Sequence, residues 1–143
     1  MFETFCGIHM KILKKILVIL LIAYVGMVFI FESWLGYSQP QGRGVVIINT
    51  TDDKGVTRGR AVSLITNGEN LYIARNHWPK RWYDQAIENP NVSLENHGIT
   101  TDYLAAAVSG EEYNRVDTAN PLPARFRFLT GYPPRYLIRL DPK

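Results

Sequence analysis

An apolar stretch near the amino terminus constrains this chain more than any other feature. Residues 12–31 read ILKKILVILLIAYVGMVFIF, and no charged side chain occurs between Ile16 and Phe31. About 20 residues at roughly 1.5 Å each span about 30 Å, which is the thickness of the hydrocarbon core of a bilayer. A soluble protein would need a much larger domain to bury a helix that is apolar on every side. The sequence therefore predicts a transmembrane helix over residues 12–34.

The flanking charges predict the orientation of this helix. Three lysines lie at its start: Lys11, Lys14 and Lys15. The first positive charge after the helix is Arg43, and Trp34 and Tyr37 suit the membrane interface. The lysine bias places the amino terminus in the cytoplasm and the rest on the outer, periplasmic or extracellular, side. A cleaved signal peptide is the main alternative, but its apolar core would be shorter and residues 34–39 contain no A-x-A cleavage pattern.

The remaining chain is long enough for one compact domain. Residues 1–11 form a short cytoplasmic segment, residues 35–44 have the composition of a linker, and residues 45–143 form the domain. The net charge of +3 is modest and no nucleic-acid motif is present, so nucleic acid is not an expected partner. Cys6 is the one cysteine and the three histidines are scattered, which argues against a disulfide or a metal site.

Short strands and tight turns dominate the domain. Asn67-Gly68 and His97-Gly98 are typical of turns between antiparallel strands. Two short helices are expected, over residues 79–88 and from Ser109 to about Ala119, the second opened by a capping box that uses Glu112. Such a pattern predicts a mainly β (α+β) fold in which a small antiparallel barrel closes its edges. Six segments have strand character: 45–48, 60–65, 71–74, 92–95, 102–108 and 136–140.

A basic and aromatic loop follows the third predicted strand. Its positive charge and the free N–H groups at the next helix start would stabilise a phosphate or carboxylate, while a flat ring lies against the tryptophans. The alternative is a purely structural short helix that covers a small core. The residues of this loop are Arg75, Asn76, His77, Trp78, Lys80, Arg81 and Trp82.

A second basic cluster consists of Lys54, Arg58 and Arg60. It is interpreted either as part of a phosphate cradle or as a solvated loop beside an anionic lipid surface. His77 is a candidate to orient a ring or to carry a proton, although most loop histidines do neither.

These residues resemble the deazaflavin-dependent nitroreductase/quinone reductase family, within the flavin-reductase split-barrel group. The resemblance covers about residues 45–142. It is carried by TTDDKGVTRGRAVSL at 50–64, by the strand, loop and W-Y…N-P helix of 71–95, and by the strand segments within 103–116 and 136–142. Two departures stand out, because Lys54 is followed directly by Gly55 and residues 75–78 replace the family's glycine pair with bulkier side chains.

The resemblance implies a split β-barrel of about six strands that binds deazaflavin or FMN, and a homodimer with the cofactor groove at its interface. It assigns no catalytic residue. Trp78, Tyr132 and Tyr136 are expected to line the substrate pocket. The residues expected to bind the cofactor are Lys54, Arg58, Arg60, Arg75, Asn76, His77, Lys80 and Trp82.

Three functions follow as hypotheses. The first is a membrane-anchored oxidoreductase that transfers hydride from a flavin or deazaflavin to a quinone-like or nitro acceptor, with the protein supplying position and a dry slot. The second is a non-catalytic split-barrel domain that has lost the cofactor and binds another ligand or an envelope partner. The third is a purely structural member of an envelope complex.

Overall fold

Six strands close into one antiparallel barrel in the computed structural model, which describes residues 2–38, 44–78 and 81–143. Around the barrel the order is β1, β2, β3, β6, β5, β4, and β4 returns to pair with β1. The prediction of a small, mostly antiparallel six-stranded barrel is confirmed. The strands are β1 (Val45–Thr51), β2 (Thr57–Asn67), β3 (Asn70–Arg75), β4 (Asn91–Asn96), β5 (Ile99–Ala107) and β6 (Tyr136–Pro142).

Tight turns set the register of the barrel. Gly68 has a φ of 63° between β2 and β3, a conformation that glycine adopts without steric cost. His97 and Gly98 both have positive φ, 50° and 80°, and together they join β4 to β5. Positive φ at two central residues is the signature of a type I′ hairpin turn. Both turns that the sequence predicted are therefore present.

The barrel interior is filled by alternate residues of the strands. Val46, Ile48, Ile73 and Ile138 are almost completely buried there. Helix α2 (Arg81–Glu88) adds two residues to the same cluster, Trp82 and Ala86. Burial of these side chains is the main stabilising contribution of a fold of this size.

The outer face of the sheet is covered by α3 (Gly110–Ala119), which buries Val116 against β3 and β6. Ser109 is at the N-cap of α3, as predicted, but its side chain makes no cap hydrogen bond. Glu112 accepts a hydrogen bond from the Tyr72 hydroxyl at 2.9 Å instead of reaching back to Ser109. The predicted capping box is wrong because the sheet offers the Glu112 carboxylate stronger donors, including Arg139.

A further short helix, α4 (Ala124–Leu129), was not expected from the sequence. Its six residues, ARFRFL, are too few to show helical periodicity, and isolated helices of this length are not stable in water. It forms because its phenylalanines pack against the amino-terminal helix.

The amino-terminal helix, α1 (Phe2–Ser38), includes one segment long and apolar enough to cross a membrane, Met10–Ser38. The second half of this helix lies against the barrel domain. The Tyr24 hydroxyl donates to the carbonyl oxygen of Phe128 at 3.0 Å, and the ring of Phe31 lies 6.3 Å from that of Phe126. The residues on α1 that face the domain therefore recur at helical spacing.

The end of α1 lies beyond the predicted end of the membrane span at residue 34. Helical structure continues through Leu35 to Ser38, which the sequence analysis assigned to the linker. The rest of that linker, residues 39–43, lies outside the described residues. The barrel domain and α1 are in direct contact from Tyr24 onward.

Candidate functional site

Two arginines from the two basic clusters meet on neighbouring strands. Ser63 of β2 pairs with Ala74 of β3, so continuing the register places Arg75 opposite Val62. Arg60 lies two residues before Val62 on β2, a rise of about 6.6 Å along the strand, and on the same face of the sheet. The hairpin of β2 and β3 therefore joins the two parts of the chain from which the sequence predicted anion binding.

A cavity of about 250 Å³, here called the basic cavity, lies at this position. Leu35 of α1 and Phe126 of α4 complete part of its wall, so the amino-terminal helix contributes to it directly. Five of the eight predicted cofactor-binding residues line the basic cavity: Arg60, Arg75, Asn76, His77 and Trp82.

Arg75 is the most unusual residue of the basic cavity. Its residue exposure is only 3%, and its guanidinium carbon lies 4.3 Å from the centre of the Tyr136 ring and 5.7 Å from those of Trp78 and Tyr83. Among the described residues, its Nε and Nη2 atoms have no hydrogen-bond partner. Buried polar groups are nearly always paired, so this guanidinium makes Arg75 a candidate ligand-binding residue of the cavity that it lines.

The aromatic residues around Arg75 form a wall of their own. The rings of Tyr83 and Tyr136 are 5.2 Å apart. Burial raises the pKa of Tyr83, although the positive charge of Arg75 opposes that shift. Its hydroxyl therefore stays protonated at neutral pH and remains a hydrogen-bond donor beside the cavity.

His77 and Asn76 are already engaged within the protein. Nδ1 of His77 donates to the carbonyl oxygen of Trp78 at 2.6 Å and lies 3.3 Å from a carboxylate oxygen of Glu32 on α1. The side-chain oxygen of Asn76 accepts a hydrogen bond from Nε of Arg135 at 3.0 Å. These contacts fix the loop that follows β3, and the His77–Glu32 contact attaches it to α1.

The other predicted cations lie apart from the basic cavity. Lys54 is exposed in the turn between β1 and β2, and Arg58 forms a 2.8 Å ion pair with Asp52. Hydrogen bonds lower the pKa of Asp52: the largest effect comes from the backbone N–H of Val56 and the next from the Arg58 side chain. Asp52 is therefore ionised at neutral pH and holds the turn. Neither Lys54 nor Arg58 lines the basic cavity, and Lys80 lies outside the described residues.

The predicted substrate-pocket residues are divided between two places. Trp78 and Tyr136 both lie beside Arg75, as their distances show. Tyr132 lies between α4 and β6, is 56% exposed, and has its ring 6.0 Å from the guanidinium of Arg127. It does not line the basic cavity.

A second and larger cavity, here called the anchor cleft, has a volume of about 590 Å³ and lies between α1 and the barrel. Sequence reasoning missed this contribution of α1, because it treated the helix only as a tether. Glu32 lies one helical turn after Val28, and its charge is the one sequence signal that could have indicated which face of α1 contacts the barrel. The anchor cleft is lined by Val28, Phe29, Glu32, Ser33, Gly36, Arg60 and Trp78.

No family model matches the chain, and no curated protein matches it either. Similar solved structures do exist. The heme storage protein HutZ from Vibrio cholerae has 21% identity and a TM-score of 0.55, over 72% of this chain and 84% of that one. An F420-H2-dependent reductase, FDR-A, has 21% identity and a TM-score of 0.52, over 69% of this chain and 95% of that one.

A third similar structure is described as a domain-swapped dimer, with 19% identity and a TM-score of 0.56, over 78% of this chain and 91% of that one. At these identities the likeness concerns the fold and not the chemistry. The chain therefore has a split-barrel fold that an F420-H2-dependent reductase and a heme storage protein also adopt, preceded by a helix long and apolar enough to span a membrane.

Proposed function

We propose that this protein is a membrane-anchored oxidoreductase that binds a flavin or deazaflavin in the basic cavity and passes hydride to a quinone-like or nitro acceptor. The amino terminus lies in the cytoplasm and the barrel on the outer side, because the lysines precede the apolar segment. The similarity to a domain-swapped dimer supports a homodimer.

The observation that carries this proposal is the buried guanidinium of Arg75. Arg75 lines the cavity and its positive charge has no ion-pair partner among the described residues, which favours an anionic group there, such as the phosphate or carboxylate of a coenzyme. Arg60, which forms no ion pair with another described residue, lines the same cavity and adds a second positive charge. The donor set of the cavity therefore fits the anionic part of such a coenzyme.

The residues of the chain have three tasks in this function. Arg60 and Arg75 hold the anionic group. Trp82 in the cavity wall and Tyr136, which lies beside Arg75, supply apolar surface for a flat ring. Leu35 and Phe126 exclude water from the α1 side of the cavity. A bound flavin or deazaflavin supplies the hydride chemistry itself.

A non-catalytic binding domain is the second candidate, and one observation favours it. Two predicted phosphate-binding cations, Lys54 and Arg58, lie away from the cavity, so a coenzyme with a long anionic tail has fewer charges to meet than the resemblance implies. The same basic cavity would then hold a smaller anionic ligand without hydride transfer.

A titration of the full-length protein in phospholipid nanodiscs tests the proposal. FMN and a deazaflavin coenzyme are added separately, and binding is followed by coenzyme fluorescence. Arg60→Ala should weaken binding by about tenfold, equivalent to about 1.4 kcal/mol. Arg115→Ala, an exposed arginine on α3, is the matched control and should leave binding unchanged.

Three results decide between the candidates. Binding together with oxidation of the reduced coenzyme by a soluble quinone supports the oxidoreductase. Binding of a coenzyme without any such oxidation favours the non-catalytic domain. If neither coenzyme binds at high micromolar concentration, the proposed redox function is wrong.

A further inference from the structure

Arg135 is a buried arginine to which the proposed function gives no task. It directly precedes β6, and its side chain is only 8% exposed. Its Nη1 donates to a carboxylate oxygen of Asp117 at 2.6 Å and to the carbonyl oxygen of Asn120 at 2.7 Å. Asp117 belongs to the last turns of α3, and Asn120 is the C-cap of that helix. The end of α3 therefore holds the guanidinium in one position.

A third hydrogen bond of Arg135 leads to the basic cavity. Its Nε donates to the side-chain Oδ1 of Asn76 at 3.0 Å, and Asn76 lines the cavity. A guanidinium carries donors only, so the amide of Asn76 can meet it only through its oxygen. Nδ2 of Asn76, with its two N–H groups, is the end of the amide that remains for a ligand.

Arg139, four residues further along the chain, provides a comparison. It is also paired with carboxylates, those of Glu112 and Asp141, and neither of these residues lines the basic cavity. Of these two paired arginines, only Arg135 contacts a residue of the cavity. The contact of Arg135 with Asn76 therefore links α3 to the candidate site, whereas the contacts of Arg139 do not.

We infer that Arg135 is a positioning residue of the basic cavity, which holds the amide of Asn76 so that Nδ2 donates to an oxygen of the bound anionic group. This inference rests on the proposed function and adds a neutral donor to the two cations, Arg60 and Arg75, that hold that group. An amide without the contact to Arg135 can rotate and turn its oxygen toward the ligand, where it repels an anion.

A double-mutant cycle on the full-length protein in phosphatidylcholine nanodiscs tests this role. The four proteins are the wild type, Asn76→Ala, Arg135→Met and the double variant. Inorganic phosphate, FMN and a deazaflavin coenzyme are titrated separately by isothermal titration calorimetry. Each single variant should weaken binding by about fivefold, the typical contribution of one hydrogen bond.

The coupling between the two residues is the decisive quantity. In the Asn76→Ala background, Arg135→Met should change the affinity by less than about twofold, because the donor that Arg135 orients is already absent. A general loosening of the fold, or a long-range effect of the Arg135 charge, would weaken binding equally in both backgrounds.

Arg139→Met is the matched control. Both arginine variants should lower the melting temperature, because each leaves a carboxylate without its partner, so stability does not distinguish them. Only Arg135→Met should weaken binding. Asp117→Asn is a second variant in case Arg135→Met does not fold. Asp117 is 41% exposed, so its replacement is tolerated, and it should weaken binding less than Arg135→Met and only when Asn76 is present.

Three outcomes would overturn the inference. In the first, the effects of Asn76→Ala and Arg135→Met multiply in the double variant. In the second, either single variant binds as tightly as the wild type. In the third, the wild type binds neither phosphate nor a coenzyme. Phosphate binding with the expected coupling, in a protein that binds neither coenzyme, would support the role of Arg135 and reject the redox function.

Discussion

Two arginines on adjacent strands of the same barrel have opposite surroundings. Arg139 on β6 bonds two carboxylates: its Nε lies 2.7 Å from Asp141, and its Nη1 lies 3.1 Å from both oxygens of Glu112. Arg75 on β3 is more deeply buried, is surrounded by rings, and has two N–H-bearing atoms without a partner among the described residues. The guanidinium of Arg139 is fully used within the fold, whereas Nε and Nη2 of Arg75 are enclosed without a hydrogen-bond partner among the described residues.

This difference separates a charge that serves stability, Arg139, from a charge that is a candidate for binding, Arg75. A paired arginine contributes to folding because its hydrogen bonds are made inside the protein. A buried arginine without a hydrogen-bond or ion-pair partner costs free energy in the unliganded protein. The cation–π contacts of Arg75 with Trp78, Tyr83 and Tyr136 offset part of that cost, and a bound anion would offset more of it. The contrast between Arg75 and Arg139 leads to four predictions.

The largest effect is expected for Arg75→Met. Coenzyme binding should weaken by about 30-fold, or about 2 kcal/mol, because hydrogen bonds to a charged donor are lost. The melting temperature should stay the same or rise, because the buried unpaired charge is removed. Titration and thermal unfolding of the same nanodisc sample measure both quantities. A large drop in melting temperature with unchanged binding would make Arg75 a structural residue like Arg139.

The converse is expected for Arg139→Met. Glu112 and Asp141 would lose their common partner, and the free energy of unfolding should fall by about 1–2 kcal/mol, with the partial exposure of all three side chains limiting the effect. Coenzyme affinity should not change. Chemical denaturation of the two methionine variants side by side measures the change in stability, and fluorescence titration measures affinity. A loss of coenzyme affinity in Arg139→Met would contradict the distinction between the two arginines.

A smaller effect concerns pH. Burial acts to raise the pKa of Glu112, but hydrogen bonds from Tyr72 and Arg139 outweigh it, so the pKa is lower than the ordinary value of 4.5. The hydrogen bond from Arg139 likewise lowers the pKa of Asp141 from 3.8. A depressed pKa in the folded state contributes stability above the unfolded pKa, and that contribution is lost as the pH falls through the folded value.

The melting temperature of the wild type should therefore decrease as the pH is lowered through and below 4.5. The decrease should be smaller in Arg139→Met, in which these pKa values lie closer to those of the unfolded chain. Differential scanning calorimetry across this pH range tests the prediction. Parallel curves for the two proteins would show that the Arg139 pairs do not cause the acid sensitivity.

The smallest effect is expected for Arg58→Ala. Arg58 is exposed and paired with Asp52, outside the basic cavity, so the coenzyme dissociation constant should change by less than about twofold. Fluorescence titration measures it against Arg60→Ala, two residues away on the same strand. A loss as large as that of Arg60→Ala would show that the turn between β1 and β2 reaches the ligand.

Much of the fold was predictable because its signals are local. The turns at Asn67-Gly68 and His97-Gly98 depend on the conformational freedom of a few residues, and the apolar length of α1 depends on composition alone. Arg60 and Arg75 were identified as candidate anion-binding residues from a local signal as well, since each lies beside a predicted turn or loop between strands. Local patterns of this kind determine elements and candidate residues.

The arrangement of the candidate site was decided by the tertiary structure. A helix that is apolar on every side carries no periodicity to mark the face that docks, so the contacts of Tyr24 and Phe31 with α4 were not predictable. Likewise, an arginine and its carboxylate partner are far apart in sequence when a sheet joins them, as Arg139 and Glu112 show. The sequence alone determined a helix long and apolar enough to span a membrane, six strands and a set of cations. Only folding decided that Arg139 finds carboxylate partners and Arg75 does not, because pairing depends on distances across the barrel that no local pattern encodes.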